Sequence, residues 1–397
     1  MTKEEIFKTY SECIMPTYRR QNVIFVKGKG TKLWDIDGKE YLDFFPGWGV
    51  NNLGHCHSKV MCAIRDQVSK LIFVPNNYLT VQQAKLAKEI NFWAYDSKVF
   101  FCNSGAEAIE SAIKFSRAYG KGERYEIITF LNSFHGRTCG ALSATGQEKH
   151  KKPFEPLVPG FKTVTFNDIE QLKQTITAKT VAILLELVQG EGGVNIADKN
   201  FVLELRKICD EKNILLIFDE IQTGMGRTAK LFCYEHYGVI PDLMVLAKAI
   251  AGGLPLGVLV AKREIADSLQ PGMHGSTFGG GPVVCKAALA VFRAIQKEKL
   301  ITNAQKMGDY LKEKLINLKE KYSCIIDVRG LGLMYGVELN IDGKILVEKA
   351  LSLGLLINCT QDKVIRLMPP LNVTKKQIDK AAYILEKVFK ELECKKI

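Results

Sequence analysis

Lys248 closes the apolar run Leu243-Met244-Val245-Leu246-Ala247 and leads into Ala249-Ile250-Ala251-Gly252-Gly253. A lysine that merely snorkels from a strand end is the plain alternative. One held out of water has a lowered pKa, which suits an amine nucleophile. A second run, Ile214-Leu215-Leu216-Ile217-Phe218, delivers Asp219-Glu220 at its end. Buried carboxylates are costly unless they face a cation. A third, Phe100-Phe101-Cys102-Asn103, opens into Ser104-Gly105-Ala106-Glu107-Ala108. Ser104 and Glu107 have capping-box spacing, Gly105 permits close backbone approach, and the free N–H groups of a helix start suit a phosphate. An ordinary helix cap is the alternative there.

Ser133-Phe134-His135-Gly136-Arg137 follows a fourth apolar run and offers a ring for stacking and a guanidinium for a carboxylate. A core phenylalanine and a surface arginine are the competing assignment. Gly275-Ser276-Thr277-Phe278-Gly279-Gly280-Gly281 adds hydroxyls on a glycine-rich loop that could reach a phosphate. The Asp219-Glu220 ending also has the form of a Walker B segment, but no glycine starts the G-x-x-x-x-G-K-[ST] loop it would need. His55-Cys56-His57 lacks a further ligand cluster at metal-site spacing and reads as a structural turn, so no metal is expected.

These segments need strands that end side by side. Val99 to Phe101, Ile127 to Phe130, Val181 to Leu185, Ile214 to Phe218 and Leu243 to Leu246 are near-continuous apolar runs separated by helical patterns. That alternation predicts an α/β fold with a mostly parallel sheet covered by helices, whose ligands bind beyond the carboxyl ends of the strands. After Ser104, Ile109, Ala112, Ile113 and Ser116 mark a helix's inner face and Gly120 its end. Near the start, Leu33 to Ile36 and Tyr41 to Phe44 flank Asp37-Gly38, a hairpin signal. The organisation expected is an N-terminal segment (1–54), a large domain (55–281) and a C-terminal smaller domain (282–397) completed by the N-terminal segment.

With 397 residues, the chain can bury a core without disulfides or a structural metal. Its eleven cysteines form no C-x-x-C pair, and no secretory or bilayer-spanning run is visible. They read as reduced, mostly buried thiols of a cytoplasmic protein. The net charge of +12 is spread over helix faces, with Lys149-His150-Lys151-Lys152 the densest cluster. It reads as a solvated surface attractive to small anions, not a nucleic-acid groove.

In register, Asn103 to Ala108, Phe134 to Arg137, Glu186 to Gly193, Asp219 to Arg227, Ala247 to Ile250 and Gly275 to Thr277 resemble the class III (ω-amino acid) aminotransferases. The likeness extends over nearly the whole chain. Its ending Val364-Ile365-Arg366-Leu367-Met368-Pro369-Pro370 and its modest length look most like the branch acting on N-acetylornithine. The resemblance implies an aspartate-aminotransferase-like fold, pyridoxal 5'-phosphate as cofactor, and a homodimer with shared active sites.

It also assigns roles. Lys248 would be the Schiff-base lysine and proton carrier, and Asp219 would hold the pyridine nitrogen protonated. Gly105 and Ala106, with Ser104 nearby, would bind the phosphate, and Thr277, beside Ser276, would reach the neighbouring subunit's phosphate. Phe134 would stack on the ring and Gln222 hydrogen-bond near its hydroxyl. Arg366 would hold the α-carboxylate of glutamate, and Arg137 that of the acetylated substrate. Glu191, in Gln189-Gly190-Glu191-Gly192-Gly193, would pair with Arg366 and swing aside for glutamate, the glycines permitting the movement. Tyr18 and Trp48 are possible channel residues, and a tryptophan at 48 departs from the smaller aliphatic residue the pattern leads one to expect. Ornithine, 4-aminobutyrate and succinyl-diaminopimelate aminotransferases share the pattern. An aminomutase acting on glutamate 1-semialdehyde would not need the Glu191–Arg366 pair, and a non-enzymatic binding protein would not need the desolvated lysine.

Overall fold

The computed structural model describes residues 1–393, so the last four of the 282–397 segment, Cys394 among them, lie outside it. Its centre is a seven-stranded sheet. Across it run Ser97–Cys102, Gly257–Lys262, Leu243–Leu246, Leu215–Asp219, Thr180–Leu185, Glu126–Phe130 and Phe161–Val164. The last five of these are parallel neighbours. Gly257–Lys262 alone runs antiparallel to both of its neighbours, so the sheet is mixed, with one reversed strand in a mostly parallel set. Thr180–Leu185, Leu215–Asp219 and Leu243–Leu246 are buried along their whole length, as expected where helices cover both faces.

Adjacent strands 215–219 and 243–246 bring Asp219 and Lys248 to the same sheet edge. The helix Gly105–Tyr119 buries Ile109, Ala112, Ile113 and Ser116, and Gly120 caps it. Gly120 is not there for a left-handed turn. Its φ is −73°, and a Cβ would come within 1.9 Å of the Arg124 carbonyl oxygen.

The expected hairpin forms between Lys32–Asp35 and Glu40–Asp43, with Gly38 at φ +83°. Leu355–Leu356 adds to its edge in parallel, joining the two chain ends in one small sheet. A further four-stranded antiparallel sheet of 325–331, 334–339, 364–367 and 358–360 carries Arg366. Helix Pro282–Lys297 starts on a proline and packs on Ser58–Val68 and Val81–Trp93.

Arg227 ties these parts together. It is wholly buried and donates to the carbonyls of Leu333 (2.8 Å) and Pro369 (2.6 Å), and also to Asn52. Burial among carbonyls pulls its pKa down to about 9. The thiols correct an expectation: Cys13, Cys56, Cys62 and Cys139 are exposed and only half of the described cysteines are buried. Among the described residues no helix is long and apolar enough to cross a membrane.

Candidate active site

Beyond the strand ends lies a cavity of about 260 Å³ whose walls include Gly105, Ala106, Phe134, Arg137, Glu191, Asp219, Gln222 and Lys248. A second hollow shares Gly105 and Lys248 and adds Ser104. Residues from five separated segments thus meet, although none of their spacings is local.

At the helix start, Ser104 Oγ accepts from the Glu107 N–H at 3.2 Å. The Glu107 carboxylate reaches back to the backbone and side chain of Asn103, both at 2.9 Å, one residue earlier than a standard capping box. The N–H groups of Gly105 and Ala106 have no acceptor among the described residues and border the cavity. A Cβ on Gly105 would press on Ile221 at 3.0 Å.

Asp219 and Glu220, adjacent in sequence, part company. Glu220 faces away, accepting from Thr223 Oγ (2.6 Å) and the Tyr234 N–H (2.8 Å), and burial lifts its pKa to about 7. Asp219 faces the cavity, accepting from the Ile221 N–H at 3.0 Å and pairing with His135 Nδ1 at 2.8 Å. The buried His135 Nε2 has no partner among the described residues, so a hydrogen on Nδ1 alone avoids an unpaired buried N–H. A third acid, Glu186, accepts from the Phe134 N–H at 2.9 Å. Burial, then the nearby Asp219 charge, hold its pKa well above the ordinary carboxylate value. This leaves Asp219 as the carboxylate able to face a cation. The parts of His135 and Glu186 escaped the sequence reading, although both lie in segments it singled out.

Lys248 has a φ of 48°, in the left-handed region where a non-glycine residue costs on the order of 1 kcal/mol or more. Gly252 and Gly253 follow at 61° and 112°. Burial lowers its pKa below the usual 10.5, against the upward pull of Glu191 and Asp219. Such an amine can serve as nucleophile or proton acceptor.

Arg366 is wholly buried. One nitrogen, Nη2, binds Glu191 at 2.7 Å and Asn358 at 2.9 Å; the other, Nη1, donates to Gln222 at 3.2 Å; Phe45 lies under the guanidinium at 4.8 Å. Burial pulls the Glu191 pKa up, but the charges of Arg366 and Lys248 outweigh it and hold it below the ordinary value. Gln222, expected near a ring hydroxyl, is committed to Arg366 and to the Trp48 carbonyl (3.2 Å) while also bordering the cavity. Arg137, by contrast, is exposed, lies 5.5 Å from the Phe134 ring centre and makes no ion pair among the described residues.

The glycines beside Glu191 do not act as expected. A Cβ on Gly190 would fall 1.7 Å from Gln222 Oε1, and one on Gly192 would fall 2.8 Å from the Asn132 carbonyl. The Glu191 carbonyl is itself held by Thr360 and Gln361. These glycines serve close packing of a clamped backbone, so any movement of Glu191 belongs to its side chain.

The family model described as aminotransferase class-III matches residues 14–389. The chain is 50% identical to the acetylornithine aminotransferase of Methanocaldococcus jannaschii, over 99% of this chain and 100% of that one. It is 49% identical to that of Caldanaerobacter subterraneus, over 96% and 98%. The chain belongs to the class III aminotransferases. Among solved structures, the ornithine aminotransferase of Toxoplasma gondii superimposes with a TM-score of 0.95 at 32% identity, covering 100% of this chain and 96% of that one. The acetylornithine aminotransferase of Elizabethkingia anophelis gives 0.88 at 32%, covering 98% and 100%.

Class III aminotransferases use pyridoxal phosphate, and the residues present fit it. Two unpartnered helix-start N–H groups face the cavity, Gly105 lacks the side chain that would crowd it, and a carboxylate and a desolvated amine stand at neighbouring strand ends. Not every candidate of this aminotransferase borders that space. Thr277 is exposed, and Ser276 sits outside the cavity wall, where its Oγ accepts from Asn103 at 3.1 Å. Tyr18 is exposed and outside the wall; Trp48 is about half exposed, edge-on to Phe45 at 5.5 Å. His55 pairs with Asp43 and His57 with Glu298, so the two imidazoles serve different contacts.

Proposed function

We propose that this aminotransferase exchanges the δ-amino group of N2-acetyl-L-ornithine with 2-oxoglutarate, a step of arginine biosynthesis, as a cytoplasmic homodimer with shared active sites. The observation that carries the reading is the Glu191–Arg366 pair at 2.7 Å opposite an unpaired Arg137. One site then offers a neutralised and a free arginine to two differently placed α-carboxylates. The curated relatives named as acetylornithine aminotransferases support the choice of substrate.

When bound, pyridoxal phosphate supplies an electron sink for the substrate carbon that loses its proton. The chain's own residues do the rest. Gly105 and Ala106 N–H groups, with Ser104 beside them, would hold the phosphate, Phe134 would cover the ring, and Asp219, oriented by His135, would keep the ring nitrogen protonated. Gln222, which braces Arg366, would hydrogen-bond near the ring hydroxyl. Lys248 anchors the cofactor, and once freed its Nζ takes the proton from the carbon bearing the reacting amino group. Arg137 receives the α-carboxylate of acetylornithine; Arg366 receives that of glutamate after the Glu191 side chain rotates away. Ser276 and Thr277 reach the partner's site. The division 1–54, 55–281 and 282–397 follows this scheme, with both chain ends framing Arg366.

Rates of glutamate formation from 2-oxoglutarate with acetylornithine, ornithine, 4-aminobutyrate and succinyl-diaminopimelate test the substrate. Acetylornithine should give the highest kcat/KM; an order-of-magnitude advantage for any rival would overturn the choice. Borohydride reduction should leave the cofactor on the Lys248 peptide.

A further inference from the structure

The loop carrying Ser276 and Thr277 is fastened at two places. On its later side, the Asn76 side chain donates to the carbonyls of Ser276 and Gly279, both at 3.0 Å, and Asn103 donates to Ser276 Oγ. On its earlier side, His274 makes the polar contacts to the helix Gly105–Tyr119. Its Nε2 lies 2.9 Å from Ser111 Oγ, its Nδ1 lies 2.9 Å from Lys114 Nζ, and its ring packs on Phe100 at 4.8 Å.

The hydrogens in this chain of contacts can be assigned. The Lys114 ammonium only donates, so Nδ1 must accept. The Ser111 hydroxyl donates to the Glu107 carbonyl at 2.7 Å, so its oxygen is left to accept from Nε2–H. The imidazole is therefore neutral with its hydrogen on Nε2. We infer that neutral His274 is a positioning residue: it latches the loop that carries Thr277 onto the phosphate-binding helix, and protonation opens the latch.

A second proton would place an N–H against the Lys114 ammonium. The acids facing His274, Glu107 and Glu110, are already committed. Glu107 is bound to Asn103, and Glu110 accepts from Thr138 and from the N–H groups of Gly140 (2.8 Å) and Ala141 (3.1 Å). Burial, then the Lys114 charge, hold the imidazole below its ordinary 6.5. The folded chain thus binds fewer protons than the unfolded one just below that value. The latch is complete at neutral pH and is lost as pH falls through the folded pKa.

The consequence for the cofactor rests on the proposed shared site, in which Thr277 supports the partner's phosphate. Hydrogen exchange of residues 269–281 and the rate of cofactor loss on dilution, measured on the holoenzyme dimer, separate the two. Between about pH 7.5 and about pH 5.5, loop opening, read as exchange relative to the unfolded-chain rate at the same pH, and cofactor loss should each rise roughly three- to tenfold in the native protein. His274→Gln offers the same acceptor and donor without titrating, so its loop should stay protected at both values. His274→Phe should be loose at both. An acid response in His274→Gln equal to the native one, or native-like protection in His274→Phe, would overturn the latch. A loop that responds while cofactor loss does not keeps the latch and overturns the placement of Thr277 at the partner's phosphate.

Discussion

Two arginines stand in opposite circumstances, Arg137 on the cavity wall and Arg366 buried behind Glu191 and Gln222, and the difference suits the proposed use of one site by two substrates. Arg366 is sunk in the C-terminal sheet, with acceptors Glu191, Asn358 and Gln222 and a ring beneath it. Arg137 projects from a loop, against Phe134, with no ion pair among the described residues. Breaking a buried ion pair by removing one partner is costly, so on the proposed reading Arg366 would release Glu191 only in exchange for a substrate carboxylate. An exposed one can wait in water and needs no internal counterion. On the proposed reading, the selective end of the site is the buried one and the accommodating end is the exposed one.

The comparison breaks most sharply at Arg366. Arg366→Ala leaves the part-exposed Glu191 without its partner, and breaking such a pair costs on the order of 3 kcal/mol, the low end for buried pairs. Glutamate-dependent turnover should fall about a thousandfold, with a lower melting temperature in calorimetry. A variant that keeps glutamate turnover would remove Arg366 from the site. Arg137→Ala should leave the melting temperature unchanged. The acetylornithine kcat/KM should fall roughly thirtyfold, the equivalent of one charged hydrogen-bonded contact of about 2 kcal/mol. An equal loss for both substrates would mean that Arg137 does not discriminate between them. Glu191→Ala removes the resident anion, which should lower the KM for glutamate and slow acetylornithine. The ratio of the two kcat/KM values should shift about tenfold; an unchanged ratio would end the switch.

What the sequence conveyed and what it withheld divide along the same line. Lys248, Asp219 and the helix start at Ser104 were legible because each is a local event, a strand ending in a polar residue or a glycine. Arg366 sits in Val364-Ile365-Arg366-Leu367-Met368, where a charge amid apolar residues is itself a signal of a buried site. Its partner Glu191 lies far off in sequence, and only the family resemblance joined them. His135 could not be matched to Asp219 because the two are brought together by crossovers that no spacing records. Gly190 and Gly192 look alike as hinges or as close contacts until their neighbours are known. The reversed strand Gly257–Lys262 is an apolar run like its parallel neighbours, so its direction was not legible either.

The smallest test concerns Asn358, which faces Arg366 across adjacent antiparallel strands and shares Nη2 with Glu191. While Glu191 is in place, that nitrogen has two acceptors, and losing Asn358 leaves the ion pair to hold the guanidinium. Once glutamate has displaced Glu191, Asn358 and Gln222 are the protein acceptors that keep the fork aimed. Asn358→Ala should therefore raise the KM for glutamate about fivefold, the effect of roughly 1 kcal/mol, and spare acetylornithine. In a Glu191→Ala background the same substitution should also slow acetylornithine, because nothing then pins Nη2 in either half of the reaction. The two substitutions should thus be non-additive for acetylornithine and near additive for glutamate. Additivity for both substrates would mean that Arg366 is held by its packing on Phe45 and the surrounding sheet, and that its acceptors do not set its aim.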